Sequence, residues 1–411
     1  MSNIDKIIEI SEYETKEVTP FHLFTLEEER IIEEDFKDKI KLTFKSGNRS
    51  FIESQQYVGF IVLPNHIISI KPKISGISFI NMIKYALSLP IINLNEIDLK
   101  EIDNYFDIIV LLLLQELEIL FQRGLNSGYL PFQDNITAVK GKILFKEHIQ
   151  YNFSREDRTY CSFSELSNDI LENRIIKYAL FLLCRYYFRD QEIESKILSN
   201  YKKLESITTA PISLDNFRSI QYTPLNNHYK NILTLCELIL SDSTIDAENI
   251  GERTIRSFLI DMNKLFEKFV ANLLKDKIEN YHIELQSIGY ADITEQMFKL
   301  VPDIIINDNN GKPILLLDTK YKKLDNLPED KDRRQVTDYS TFLQVKNIGL
   351  IYSGKKIEDY LPRNPISLKQ HIKLHLLSFN LKAYNSSEFE DRCNYFIKEL
   401  LKILRQLENY D

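Results

Sequence analysis

The sequence predicts a mixed α/β protein of two domains, a β-rich and helical region over residues 1–250 followed by an α/β domain over 251–411. Three observations carry this. Strand-like and helix-like apolar patterns succeed one another along all 411 residues, more than one average domain of about 100–200 residues holds. The stretch SDSTIDAENIGERT (241–254) is polar, breaks both patterns and reads as a linker. Two short continuous apolar runs, over 304–306 and 314–317, read as strands covered on both faces, as in the centre of an α/β sheet.

Taken in order, KIKLTF (39–44), YVGFIVL (57–63) and HIISIKPKI (66–74) alternate or are rich in β-branched residues, and LPNH between the last two reads as a turn. From about residue 101 the pattern turns helical. NYFDIIVLLLLQELEILFQRGL carries an apolar face at helical spacing and stops near Gly124. ITAVKGKILF (136–145) is β-like again. ELSNDILENRIIKYALFLLCRYYF (165–188) predicts a strong helix, capped by Ser167 or Asn168. NHYKNILTLCELILSD (227–242) predicts another. IRSFLIDMNKLFEKFVANLLKDKI (255–278) predicts a long amphipathic helix with Met262, Phe266, Phe269 and Leu273 on its apolar face and Glu267 at the margin. DRRQVTDYSTFL (332–343) predicts a helix with Gln335 and Tyr339 on one face.

The net charge is −8, so any nucleic-acid contact must be local or shared with a partner. The first 40 residues hold twelve acidic and five basic side chains, whereas residues 312–377 hold thirteen Lys or Arg against eight Asp or Glu. Cys161, Cys184, Cys236 and Cys393 have neither the spacing of a zinc site nor that of a disulfide framework, which fits a reducing cytoplasm. The N-terminus MSNIDKIIEISEYETKE has no apolar signal core. The run IIVLLLL (108–114) is too short to span a bilayer and is followed by Gln115, Glu116 and Glu118. The expectation is a cytoplasmic protein with no membrane contact.

The chemistry lies in VPDIIINDNNGKPILLLDTKYKK, residues 301–323. Asn307 to Gly311 is a turn-rich cluster between two strand-like runs, a hairpin signal. With the loop centred near Asn310, Asp303 falls opposite Asp318 or its immediate neighbour, and opposed residues have Cβ atoms roughly 4.5–5.5 Å apart. Two carboxylates that close repel unless a cation lies between them or one is protonated. Lys320, two residues after Asp318, projects on the same face. Two acids and a lysine thus converge at a strand end, where open α/β sheets bind ligands. Hard oxygen ligands suit Mg²⁺, which keeps several waters and uses one or two protein carboxylates. A metal so held polarises a phosphoryl oxygen and lowers the pKa of an attacking water. A lysine beside it positions that water or stabilises developing negative charge. Glu267 can reach such a site from its helix, and Gln335 and Tyr339 can contact a phosphate or order the lysine.

The order Glu on a helix, PD, D-x-K, then Q-x-x-x-Y resembles the PD-(D/E)xK nuclease superfamily in its RecB-like variety. DMNKLFEKFV, LVPDIII, LLLDTKYK and the Gln335 helix resemble segments of the McrC family, the nuclease subunit of the McrBC modified-cytosine restriction system. YVGFIVLPNHIISIKPKI resembles the N-terminal strand pair of that family. GKILFKEHI and YCSFSELSNDILENRIIKYAL resemble its middle region, where an Asp and an Asn-Arg pair recur, here Asp169, Asn173 and Arg174. The likeness is strong over 258–343 and looser over 1–250, and Thr319 stands where Ala is more usual. The resemblance implies a restriction-endonuclease-like domain over 251–411 behind a partner-docking region over 1–250. It implies that Asp303, Asp318 and Glu267 bind Mg²⁺ or Mn²⁺, that Lys320 assists the water, and that Gln335 and Tyr339 support the site. It further implies a McrB-like AAA+ GTPase hexamer as partner, double-stranded DNA as substrate, and no nucleotide bound by this chain itself. The sequence agrees on the last point, having no G-x-x-x-x-G-K-[ST] and eleven glycines in all. Lys71, Lys73, Arg123 and Arg174 are candidates for an element facing the partner's nucleotide.

Three readings follow. The chain is the DNA endonuclease subunit of a GTP-dependent, modified-cytosine-directed restriction system; or it is chiefly an interaction subunit that stimulates the partner's GTPase; or it is a stand-alone PD-(D/E)xK nuclease of another defence or repair system. A neighbouring gene for an AAA+ GTPase separates the first two from the third. Cleavage by the purified chain alone favours the third.

Overall fold

The structure, a computed structural model, describes residues 6–20, 23–89, 105–186, 188, 190–246, 254–285, 302–324, 327–354, 365–368 and 371–408. The fold is mixed α/β. It divides into two compact units, one made of residues 1–108 and 259–411, the other of 109–258. This differs from the division at 250/251 expected from the sequence. The N-terminal strands fold with the C-terminal part of the chain, through pairs far apart in sequence. Asn272 Nδ2 donates to the carbonyls of Tyr85 (3.1 Å) and Ala86 (3.0 Å), and Ser78 Oγ to that of Leu381 (2.5 Å). Local periodicity reports elements, and carries no signal for such pairs.

In chain order the first unit opens with β1 (Lys6–Ser11), β2 (Thr15–Val18), α1 (Leu26–Asp35), β3 (Ile40–Lys45), β4 (Arg49–Ser54), β5 (Tyr57–Val62), β6 (His66–Lys71) and α2 (Gly76–Ala86). β1 lies parallel to β6, which pairs antiparallel with β5, and β2, β4 and β3 form a second, antiparallel sheet. Ile8, Ile10, Ile32, Phe36, Ile40, Ile52, Ile61 and Ile68 share one core. α1 starts with a capping box in which Thr25 and Glu28 bond each other's backbone N–H. The three strands expected between 39 and 74 are all present.

α3 (Tyr105–Arg123) leads into the second unit, which holds β7 (Gly128–Ile136), β8 (Lys142–Ile143), α4 (Phe145–Asn152), β9 (Thr159–Ser167), α5 (Leu171–Leu183), α6 (Gln191–Lys203), α7 (Leu214–Arg218), α8 (Lys230–Ser241) and β10 (Ser243–Asp246). Three expectations change here. The β-like piece at 136–145 contributes only the two residues of β8, because the main strand, β7, lies before it and pairs with β9 along nine residues. That pairing keeps the chain extended to Ser167, so α5 starts at Leu171 rather than at 165. Neither Ser167 nor Asn168 caps it: its N-cap is Ile170, with no side-chain bond. The expected linker 241–254 holds a strand, since β10 pairs antiparallel with β11 (Thr254–Asp261); the linker's residues 247–253 lie outside the described ones.

β11 also takes the first seven residues of the helix expected at 255–278. α9 (Met262–Lys277) starts only where Asp261 Oδ1 accepts the N–H of Asn263 (3.0 Å) and Lys264 (3.3 Å). Then follow β12 (His282–Leu285), β13 (Ile304–Asn307), β14 (Pro313–Lys320), α10 (Asp330–Leu343), β15 (Asn347–Ser353), β16 (Ile366–Ser367), β17 (Lys373–Phe379) and α11 (Ser386–Glu408). The sheet order is β12-β13-β14-β15-β17-β16, parallel through β14, β15 and β17 and antiparallel at both edges. α10 covers one face, with Val336 and Tyr339 in a core with Leu316, Leu350 and Leu374. Phe379, on the other parity of β17, meets Phe269 of α9 (5.0 Å between ring centroids) and Phe396 of α11 (5.4 Å). Both faces of the central strands are therefore covered, as their continuous apolar runs predict. Among the described residues no helix is long and apolar enough to cross a membrane.

Candidate active site

The β13–β14 hairpin turns at Asp308–Gly311, where Asp308 Oδ1 accepts the N–H of Asn310 and Lys312 at 2.8 Å each. Gly311 takes φ +78°, the left-handed conformation a glycine adopts without penalty. The register pairs Ile304 with Leu317. Asp303, one residue before β13, therefore arrives level with Asp318 and Thr319. Its Oδ2 accepts both the N–H (2.7 Å) and the hydroxyl (2.8 Å) of Thr319, and among the described residues its Oδ1 accepts no hydrogen bond.

Asp318 is 1% exposed. Its close polar partner is Lys320, whose Nζ lies 2.7 Å from Oδ2 as an ion pair without hydrogen-bond alignment. Burial, and next the charge of Asp303, push the Asp318 carboxyl up to about 7; burial also raises that of Asp303. Lys320 Nζ donates to Gln335 Oε1 (2.9 Å), and Gln335 Nε2 donates to the hydroxyl of Tyr339 (2.6 Å). Burial pushes that hydroxyl up to about 12, so it is neutral at physiological pH. Five of the six expected site residues thus form one connected group.

Glu267, the sixth, is half-buried on α9, and its charge is felt at Tyr339. Among the described residues no three or more His, Cys, Asp or Glu side chains are gathered so as to hold a metal ion. Glu267 is therefore not clustered with the two aspartates as a third carboxylate, because it stands on a helix rather than at the strand ends. The aspartate pair itself suits a hard divalent cation. A buried carboxylate, without an aligned hydrogen bond, stands level with a half-buried one; burial raises both pKa values, and the charge of Asp303 adds to that of Asp318 a repulsion that a cation would relieve.

Three neighbours were not singled out by sequence reasoning. Thr319 fixes Asp303. Asp332, 4% exposed, accepts from Tyr352 Oη (3.0 Å) and Lys322 Nζ (2.9 Å), and its charge contributes to the shift of Asp318. The signal was available: Asp332 stands three residues before Gln335 on the helix, and Lys322 two after Lys320 on the chain.

Asp169, Asn173 and Arg174 act within the second unit. Arg174 holds Asp169 through two parallel bonds of 2.8 Å, and the N–H and hydroxyl of Thr208 add bonds of 2.8 and 2.6 Å. Asn173 donates to the carbonyls of Asn126 (3.0 Å) and Asn168 (2.7 Å) and accepts from Tyr229 (2.9 Å). Of the basic residues expected to face a nucleotide, Arg174 is committed to Asp169 and Lys71 pairs with Glu9 (2.9 Å). Lys71 and Lys73 belong to the first unit, Arg123 and Arg174 to the second.

A family profile described as the McrBC 5-methylcytosine restriction system component matches residues 52–353. The chain belongs to the McrBC family. It is 26% identical over 228 residues to the type IV methyl-directed restriction enzyme EcoKMcrBC of Escherichia coli strain K12, a match covering 54% of this chain and 65% of that relative. The chain thus spans somewhat less than two thirds of the curated McrBC relative. It superposes with a TM-score of 0.63 and 18% identity on a chain of a refined half-complex, from a tetradecameric assembly of Thermococcus gammatolerans McrB AAA+ hexamers with bound McrC. That alignment covers 96% of this chain and all of the other, and shows the shared fold.

Proposed function

We propose that the chain is the DNA-cutting subunit of a cytoplasmic, McrBC-type restriction system directed at modified cytosine, working with a McrB-like AAA+ GTPase hexamer and stimulating its hydrolysis. The observation that carries this is the half-buried Asp303 beside the buried Asp318, with Lys320 at the end of β14. Family membership supports the restriction setting, and the McrB hexamers in the Thermococcus assembly support the partner. The exposed apolar side chains of the second unit, among them Tyr129, Phe145, Phe153 and Leu166, offer a surface for that partner to cover.

Asp303 and Asp318 would hold Mg²⁺, or Mn²⁺ in its place, with Glu267 facing the site from α9. A bound divalent ion would supply Lewis acidity and lower the pKa of an attacking water. The rest falls to the side chains. Thr319 locks Asp303 in one rotamer through two bonds to the same oxygen. Lys320 brings a cation to where charge develops on the phosphate or to where the water stands, and Gln335, held in turn by Tyr339, keeps the ammonium from swinging away. The overall negative charge suits a subunit whose partner does the reading of DNA.

The test is reconstitution. The chain is mixed with the neighbouring AAA+ protein, GTP, Mg²⁺ and methylated or unmethylated DNA. Cuts that need all components and the methylated duplex are expected. Cutting by the chain alone would favour a stand-alone nuclease, and GTPase stimulation with no cutting would favour an interaction subunit.

A further inference from the structure

Glu12 directly follows β1, 309 residues before Tyr321, and is 0% exposed. Its Oε1 accepts the Tyr321 hydroxyl (2.9 Å) and the N–H of Lys73 (2.7 Å), while Oε2 is buried without a hydrogen-bond partner. Tyr321 directly follows Lys320. Its ring leaves the strand end on the side opposite Lys320 and packs on Phe266 of α9, 5.8 Å between centroids. Phe266 in turn precedes Glu267. The tyrosine therefore stands behind the site, between the two segments that carry its charged groups. A turn with Lys322 N–H on the Lys320 carbonyl (2.7 Å) closes the strand at this point.

A buried acceptor that receives two donors holds both in place, and a Tyr321 hydroxyl left unpaired in the interior would be costly. The β1 end is itself anchored, since Glu12 N–H donates to the Lys71 carbonyl (2.9 Å) and Tyr13 Oη donates to Asn263 of α9 (3.2 Å). We infer that Glu12 is a positioning residue for the proposed nuclease site: through Tyr321 it fixes the end of β14 and so the reach of Lys320 toward Asp318 and Gln335. The inference rests on the nuclease reading for its catalytic consequence only. It adds one more long-range pair to those that join residues 1–108 with 259–411. A nuclease half cut free of β1 would keep all six site residues and lose the support behind Lys320.

The experiment uses the full chain and three variants, Glu12→Ala, Glu12→Gln and Tyr321→Phe. Amide hydrogen exchange is read without metal or DNA, and single-turnover cleavage is read with the AAA+ partner at saturating Mg²⁺. Glu12→Ala and Tyr321→Phe are expected to speed exchange at residues 319–322 by about tenfold or more, with the rest of the sheet unchanged. They are expected to slow cleavage by about 10- to 100-fold at an unchanged KM for DNA. Glu12→Gln keeps an acceptor for Tyr321 and restores both. Unchanged exchange at 319–322 in Tyr321→Phe overturns the inference whatever cleavage does. So does acceleration spread over the whole unit, which would mean a general loss of stability. A wild-type chain that fails to cut, with the local exchange effect present, would instead overturn the nuclease reading and leave the positioning contact standing.

Discussion

Asp318 concentrates the physics of the candidate site, being a buried acid beside a second acid with one lysine to offset both. Its raised pKa has a definite sign. The neutral form suits the fold, so this contribution is fully present below the unfolded value near 3.9 and is lost as pH rises through about 7. Asp318→Asn should therefore stabilise the metal-free chain at pH 8, on the order of 2 kcal/mol, and leave it nearly unchanged at pH 4 relative to wild type. Urea unfolding at the two pH values measures this; an equal effect at both would mean that the charge of Asp318 is not under strain. Lys320 poses the complementary question. If it only balances charge, Lys320→Ala should bind Mn²⁺ as well as wild type or better and still cut. If it acts on the reaction, both Lys320→Ala and Lys320→Arg should bind Mn²⁺ normally yet lose roughly 10²–10³ in cleavage rate. The second outcome is expected, because Gln335 and Tyr339 aim the ammonium instead of leaving it to Asp318 alone. These residues were legible in the sequence, since hairpin counting and helix spacing place them. Thr319 was not, since its bonds to Asp303 follow from a register that the residue type alone does not reveal, whereas Asp332 had a signal in its helical spacing from Gln335.

At the scale of elements, the helices and strands with a clean period were read correctly, and the errors fall at junctions. Residues 255–261 are apolar enough to extend a helix, but they pair as a strand until Asp261 caps α9. Residues 165–170 end a strand because β7 offers a partner along its whole length. In both places a pairing distant in sequence overrides local pattern. The same second unit shows what the Asp169, Asn173 and Arg174 residues do. Arg174, against the opposing effect of burial and with the help of Thr208, holds the Asp169 carboxyl well below the usual carboxylate range. A depressed carboxylate pKa contributes stability above the unfolded value near 3.9 and loses it as pH falls. Asp169→Asn should then cost on the order of 1–3 kcal/mol at pH 7 and clearly less at pH 3, where the unfolded chain's carboxyl takes up a proton that the folded one still refuses. Calorimetric melting reads the difference. A pH-independent cost would place the effect in packing rather than in charge.

At the scale of the whole molecule, the chain forms two compact units whose borders, 108/109 and 258/259, differ from the expected 250/251. The first unit is discontinuous in sequence, closing over the N-terminal strands and the six-stranded sheet together, while 109–258 forms the second compact unit. The proposed division of labour follows those units rather than the 250/251 cut. The residues proposed to cut lie in the first unit, and the exposed apolar side chains proposed for the partner lie in the second. Asp318→Ala should accordingly abolish DNA cleavage while leaving GTP hydrolysis by the AAA+ partner stimulated as by wild type. The substitution removes a buried acid that favours neutrality, so it should not unfold the first unit, and a circular dichroism melt checks that. Loss of GTPase stimulation in a folded Asp318→Ala chain would mean that the hairpin end of β14 itself meets the partner. Both activities would then belong to one surface, and the assignment of cutting and docking to separate units would have to be abandoned.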